Sequence, residues 1–221
     1  APVHHNVKRA IAAASELDTR LVMRPLRNTE RVLTNGAAER LLQKERELGA
    51  AIVAHWSARA DRPQVQYRDL DLEPLPHLSG RSLAKADPAE AAQAEQVLEQ
   101  FLAADVLVIG APMYNFGIPS TLKAWIDRIA VAGRSFRYTE NGSQGLAGGK
   151  TVIIASARGG LHTGAPTDFQ EPYLRQVFAF LGIDDVRFVR AEGVALSPGH
   201  RAEAIAAALA TIPGQDEELH Q

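Results

Sequence analysis

The chain has 221 residues, 24 Lys+Arg against 26 Asp+Glu for a net charge of −2, and 46% hydrophobic residues. That suits one large α/β domain, or a domain with an extension, and gives no reason to expect a nucleic acid or an anionic membrane as partner. The absence of cysteine excludes disulfides, thiolate metal sites and cysteine nucleophiles, and no apolar run approaches the roughly 18–20 residues of a membrane span.

No basic segment leading into an apolar one opens the chain, which with the missing cysteines points to the cytoplasm. The opening Ala1-Pro2, without an initiator Met, fits a processed chain or a fragment. Next, Val7–Leu17 reads as a helix and Thr19–Met23 as a strand candidate. Glu30 to about Ala58 reads as a long helix interrupted at Asn35-Gly36, which is a turn signal. Residues 1–62 carry 11 Lys+Arg against 7 Asp+Glu, while 63–221 carry 13 against 19. Two solvated helical faces account for this imbalance, and so does an amino-terminal segment of separate origin.

From Pro63 the alternation of elements is clearer. Gln64–Asp69 is a short strand and Leu72–Leu78 an extended, proline-containing segment. Asp87 as N-cap and Pro88 in the first turn open a helix to about Ala103. Val106–Gly110 is a buried strand, followed by an irregular loop and a helix from Ser120 to about Ala132. Thr151–Ala155 is another buried strand, Pro172–Leu181 a helix closed by Gly182, Val186–Ala191 the last strand and Ala202–Ala210 the last helix. Strands alternating with helices predict an α/β fold with a doubly wound parallel sheet.

Ligands bind such sheets beyond the carboxyl ends of the strands, so the strand exits carry the functional argument. After Val106–Gly110 come Met113, Tyr114, Asn115 and Phe116, which combine flat apolar surface with a carboxamide that both donates and accepts. A planar heteroaromatic ring such as a flavin needs both. After Thr151–Ala155 come Ala157, Arg158, Gly159, Gly160 and His162. The two glycines let backbone N–H groups approach a ligand, or serve only as a tight strand exit. His162 is either a loop histidine or a donor to the pyrimidine edge of a flavin, where it would favour the negative charge of the reduced ring. The segment Phe136–Gly145 is a lid or substrate platform, or an ordinary hairpin-like loop with one anchoring aromatic. No Gly-x-Ser-x-Gly elbow, Walker loop or Gly-x-Gly-x-x-Gly is present, and His4-His5 lacks the partners of a metal site.

Positions from about 50 to 212 resemble the FMN-dependent NADH-azoreductases, flavodoxin-like enzymes that also reduce quinones. Tyr67-Arg-Asp-Leu70 with Pro74-Leu-Pro-His77, Ala111-Pro-Met-Tyr-Asn-Phe116, Leu122-Lys-x-Trp125, Phe136-Arg-Tyr-Thr-Glu-Asn-Gly142, Ser156-x-Arg-Gly-Gly160 and Ala191-Glu-Gly193 carry the resemblance. It implies a flavodoxin-like fold, and hydride transfer from NADH through bound FMN to a quinone or azo compound by a ping-pong mechanism. Met113, Tyr114, Asn115 and Phe116 would hold the isoalloxazine, and Ala157, Arg158, Gly159, Gly160 and His162 its pyrimidine side. Tyr138 and Phe180 match positions near the substrate cavity, which in this family lies across a homodimer interface. Asn115, His162, Tyr138 and Phe180 are thus the candidates for orienting flavin and acceptor.

The family opens with a central strand and a serine-rich loop that holds the FMN phosphate. Counted back from Trp56, the equivalent positions are Arg31–Arg46, which hold no serine. Charge-assisted hydrogen bonds contribute about 1.5–3 kcal/mol each, so losing two or three weakens binding by on the order of 3–9 kcal/mol. Residues 1–49 resemble a fragment of the nitronate monooxygenases, which suggests a fusion junction near Gly49. The expected organisation is an atypical segment over 1–49, a flavodoxin-like domain over 50–212 and a polar tail over 213–221. In one reading Thr19–Met23 replaces the central strand, and Asn28, Thr29 and arginines 24, 27 and 31 form a substitute anion site. In another the segment is a surface extension. The rival functions are a flavin-free, catalytically silent binding or dimerisation domain and, more remotely, nitronate oxidation.

Overall fold

The computed structural model describes residues 31–36, 41–58 and 64–212. Its main sheet is built from five parallel strands: β1 (Arg31–Gly36), β2 (Gln64–Asp69), β3 (Val106–Gly110), β6 (Thr151–Ala157) and β7 (Asp185–Ala191). They run in the order β2-β1-β3-β6-β7. This is the flavodoxin-like doubly wound order, with the switch point between β1 and β3. The second sheet is a hairpin of β4 (Phe136–Thr139) and β5 (Gly142–Gly145), a shape that either a substrate platform or an ordinary loop can take.

The alternation of side chains along the inner strands sets two cores. Leu107 and Ile109 of β3, with Val152 and Ile154 of β6, face the helices α3 (Pro88–Ala103), α4 (Ser120–Ile129) and α5 (Gln170–Phe180). Val106, Val108, Ile153 and Ala155 face the opposite way, onto α1 (Leu41–Ser57) and α6 (Pro198–Ala210). Both faces of these strands are buried, which is why they read as continuous apolar runs. Phe101 and Trp125 meet edge-on in the first core, with centroids 6.1 Å apart. A short helix α2 (Gly80–Leu83) follows β2, capped by a reciprocal Ser79–Ser82 pair.

The helix starts follow local chemistry. The Asp87 side chain accepts the N–H groups of Ala89 and Glu90, with Pro88 just inside. Ser197 and Pro198 repeat the device at α6, where Ser197 accepts from His200 N. That helix therefore begins four residues before the predicted Ala202. Helix α5 begins at Gln170, two residues before Pro172, because proline is tolerated in a first turn. Helix α4 ends at Ile129, short of Ala132, as Ala130 leaves helical geometry.

At the amino terminus the structure corrects the sequence reading. Arg31–Gly36 is a strand paired with both β2 and β3, so the expected helix does not run from Glu30; among the described residues of this stretch the helix is Leu41–Ser57. The central position expected for Thr19–Met23 is held by Arg31–Gly36. Thr19–Met23, Val7–Leu17, Asn28, Thr29 and the tail 213–221 lie outside the described residues. Arg31 is the first residue of β1. Helix α1 runs through Gly49 without a break. Among the described residues, no helix is long and apolar enough to cross a membrane.

Candidate active site

Beyond Gly110 and Ala157 the β3–β6 ladder continues into the loops. Ala111 N donates to Ala155 O at 2.8 Å and Met113 N to Ala157 O at 3.0 Å. The two exits are thereby held side by side at one sheet edge. The first then reverses sharply. Tyr114 N donates to Gly117 O at 3.0 Å and Gly117 N to Tyr114 O at 2.9 Å, with Asn115 at φ 48° and Phe116 at φ 68° between them. Two successive left-handed residues make a type I′ reversal. Asparagine accepts that conformation readily, whereas phenylalanine pays about 1–2 kcal/mol for it. Strain of this kind gathers at ligand sites.

The reversal lifts the Phe116 ring, half exposed, against His162 of the second exit, edge to face with centroids 5.9 Å apart. His162 Nδ1 is tied to Thr167 Oγ1 at 3.1 Å. Its Nε2 stands over Gly160, 2.9 Å from where a Cβ there would be. Among the described residues Nε2 has no hydrogen-bond partner, and neither has the exposed Asn115 carboxamide. The N–H groups of Gly159 and Gly160 have no acceptor among the described residues, although both residues are half-buried. Unpaired donors in such a position suit an acceptor-rich ligand edge. A half-exposed aromatic face, a free carboxamide, two backbone donors and an imidazole nitrogen together fit the ring of a flavin. Residues 37–40, which follow β1 in the chain, lie outside the described residues.

Other predicted contacts do different work. The Arg158 side chain is fully buried and turned inward. It pairs with Asp168 and Glu171 at 2.9 Å each and with Glu192 at 3.4 Å, and its Nε donates to Ser156 Oγ at 3.2 Å. Its backbone is also committed, to Ala191 O and Val194 N. Arg158 therefore braces the loop and offers nothing to a ligand. Ala157, fully buried, serves through the carbonyl that receives Met113 N, and Met113 itself is nearly buried.

Glu192 completes the brace by accepting the backbone N–H groups of His162 at 2.8 Å and Thr163 at 2.9 Å. Burial pushes its carboxyl upward. The N–H groups of His162 and Thr163, the Thr163 hydroxyl and Arg158 outweigh this and hold it below the ordinary glutamate value. The sequence reading missed Glu192, Asp168, Glu171 and Gln170 as site supports. The Ala191-Glu-Gly193 motif was the available signal for the first; nothing local marks the others.

Tyr138 and Phe180 do come together, on either side of Phe136. The Phe136 ring lies 5.4 Å from Tyr138 and 4.5 Å from Phe180. This trio sits at the far end of α5, however. The helix rises about 15 Å from Gln170 to Phe180, so these rings do not meet Phe116 and His162 within one chain. Gly145 and Gly182 fix the hairpin there: a Cβ on Gly145 would lie 2.1 Å from Gly182 N.

A family model described as having a flavodoxin-like fold matches residues 31–213. An FMN-dependent NADH:quinone oxidoreductase of Stenotrophomonas maltophilia is 66% identical over 171 residues, 77% of this chain and 88% of that protein. One from Xanthomonas euvesicatoria is 68% identical, over 78% of this chain and 89% of that protein. Among solved structures, an azoreductase from Bacillus anthracis superposes with TM-score 0.73 at 29% identity, covering 82% of this chain and 95% of the other. Residues 1–30 lie outside the family match, and these comparisons lend no support to a nitronate monooxygenase origin for residues 1–49. The chain belongs to the flavodoxin-like family and, within it, to the FMN-dependent NADH:quinone oxidoreductases.

Proposed function

We propose that the chain is an FMN-dependent oxidoreductase that passes hydride from NADH to quinones or azo compounds. The observation that carries this reading is the side-by-side placement of the Tyr114–Gly117 reversal and the Gly159–His162 turn, which would bound the flavin slot with four uncommitted polar groups beside a half-exposed aromatic ring. Bound FMN would supply the redox chemistry, accepting hydride from NADH and delivering it to the acceptor. Asn115 would orient the ring through its carboxamide, and Phe116 would cover one edge. Gly159 N, Gly160 N and His162 Nε2 would donate to the pyrimidine oxygens and favour the negative charge of the reduced ring. No side chain here is needed as an obligatory acid or base.

The aromatic trio at Phe136, Tyr138 and Phe180 supports a homodimer, as in the wider resemblance. Tyr138 is strongly exposed, at 76%, and its ring meets Phe136, at the carboxyl end of α5. In a dimer Tyr138 and Phe180 would reach the partner's slot and sandwich the substrate. Sedimentation as a monomer would remove that role from both residues. A chain without cysteine fits a cytoplasmic setting.

Purified protein titrated with FMN should turn yellow stoichiometrically, then oxidise NADH in the presence of a benzoquinone or methyl red. The ratio of the two turnovers ranks quinone against azo substrates. Protein that neither binds FMN nor consumes NADH would refute the assignment and favour the silent-domain reading.

A further inference from the structure

Gln170 opens α5 with no exposed surface, wedged between the exits of β3 and β6. Its Nε2 donates to Ala111 O at 2.9 Å and to Pro112 O at 3.0 Å, while Oε1 accepts from Ser156 Oγ at 3.0 Å. Both amide protons are thus used on one loop and the acceptor on the other strand. The two carbonyls stand immediately before Met113–Phe116, and Ser156 stands immediately before Ala157–Gly160. The Ser156 hydroxyl also receives Arg158 Nε, so the contact runs on through Arg158 to Glu192, which accepts from His162 N.

The sheet does not need this residue for its own pairing, since Ala111 N and Met113 N already extend the ladder onto β6. What Gln170 adds is control of the Ala111 and Pro112 peptide planes, and hence of the direction in which the strained reversal leaves the sheet. A buried carboxamide is costly unless each of its groups is satisfied. Here it is satisfied by groups from both sides of the slot.

We propose that Gln170 is a positioning residue for the flavin ring: it sets the spacing between the Asn115–Phe116 reversal and the Gly159–Gly160 donors. The proposal rests on the FMN reading above. It involves no contact between Gln170 and the ring.

The test titrates full-length wild type, Gln170→Met, Gln170→Glu and Ser156→Ala with FMN and with lumiflavin, the ring without its phosphate arm. Absence of lumiflavin binding in the wild type would overturn the flavin reading itself, and needs no variant to be seen. Given wild-type binding, Gln170→Met should weaken lumiflavin and FMN by the same factor, about tenfold or more. Ser156→Ala cuts the tie to β6 but leaves both carbonyl bonds in place, so it should weaken both flavins by a common factor smaller than that of Gln170→Met, and a larger loss than in Gln170→Met would overturn the proposal.

Gln170→Glu keeps the shape but presents no donor while ionised. At mildly alkaline pH it should match Gln170→Met, and as pH falls its protonated carboxyl can donate again, so ring affinity should recover. Should Gln170→Met fail to fold, this pH-dependent recovery decides the matter, and an affinity independent of pH overturns the proposal. Wild-type affinity for both flavins in either Gln170 variant overturns it. So does weakened FMN binding with lumiflavin unchanged, which would place the defect at the phosphate.

Discussion

Phe116 carries two burdens at once, a left-handed backbone and a half-exposed ring. Neither favours the empty protein, so the residue is explained best by what the ring covers. Phe116→Gly would relieve about 1 kcal/mol of backbone cost and lose an edge-on contact to His162 of about 0.5–1.5 kcal/mol. The apo-protein should therefore change in stability by no more than about 1 kcal/mol in a denaturant melt, while FMN affinity falls about tenfold or more through lost stacking. Equal losses of stability and affinity would mean that the ring serves the fold. The residue types of this site were legible in sequence, because aromatic, amide and double-glycine residues announce themselves at strand exits. Their division of labour was not. Arg158 stands in the middle of the Ser156-x-Arg-Gly-Gly160 motif, and only the fold turns it away from the slot into three carboxylates.

The crossover elements after β6 and β7 behave as one braced unit, since Glu192, just past β7, holds the loop that ends β6. Because the Glu192 carboxyl is held below its ordinary value in the folded protein, its contribution to stability is present above the unfolded value. It is lost as pH falls through the depressed folded one. Thermal midpoints of the wild type should drop across that acidic window. Glu192→Gln should flatten the drop at this position, keeping an acceptor for the two N–H groups but no titrating charge. An unchanged acid profile in the variant would show that the brace does not titrate. Element boundaries were readable where a local signal governs them, as at Asp87-Pro88. Ser197-Pro198 carries the same signal at the start of α6. Strand β1 was harder: Asn35-Gly36 marks a turn in any sequence, and only pairing with β2 and β3 makes the residues before it a strand.

At the scale of the molecule, the neighbouring strands β3 and β6 bring two crossover loops together, while the Phe136–Tyr138–Phe180 trio gathers at the carboxyl end of α5. Repetition of strand and helix along the sequence made the fold class legible, since both faces of a parallel sheet must be covered. It could not give the distance within one chain between Tyr138 and Phe180 and the strand exits, because distance along a helix becomes distance in space only once the helix is docked. Everything functional depends on a flat ring lying between the reversal at Asn115–Phe116 and the paired glycines. Amide NMR of the labelled protein during a lumiflavin titration observes this directly. The Gly159 and Gly160 N–H resonances should shift saturably, ahead of amides elsewhere in the sheet, as the donors acquire an acceptor. Saturable lumiflavin binding that leaves both resonances in place would contradict the site.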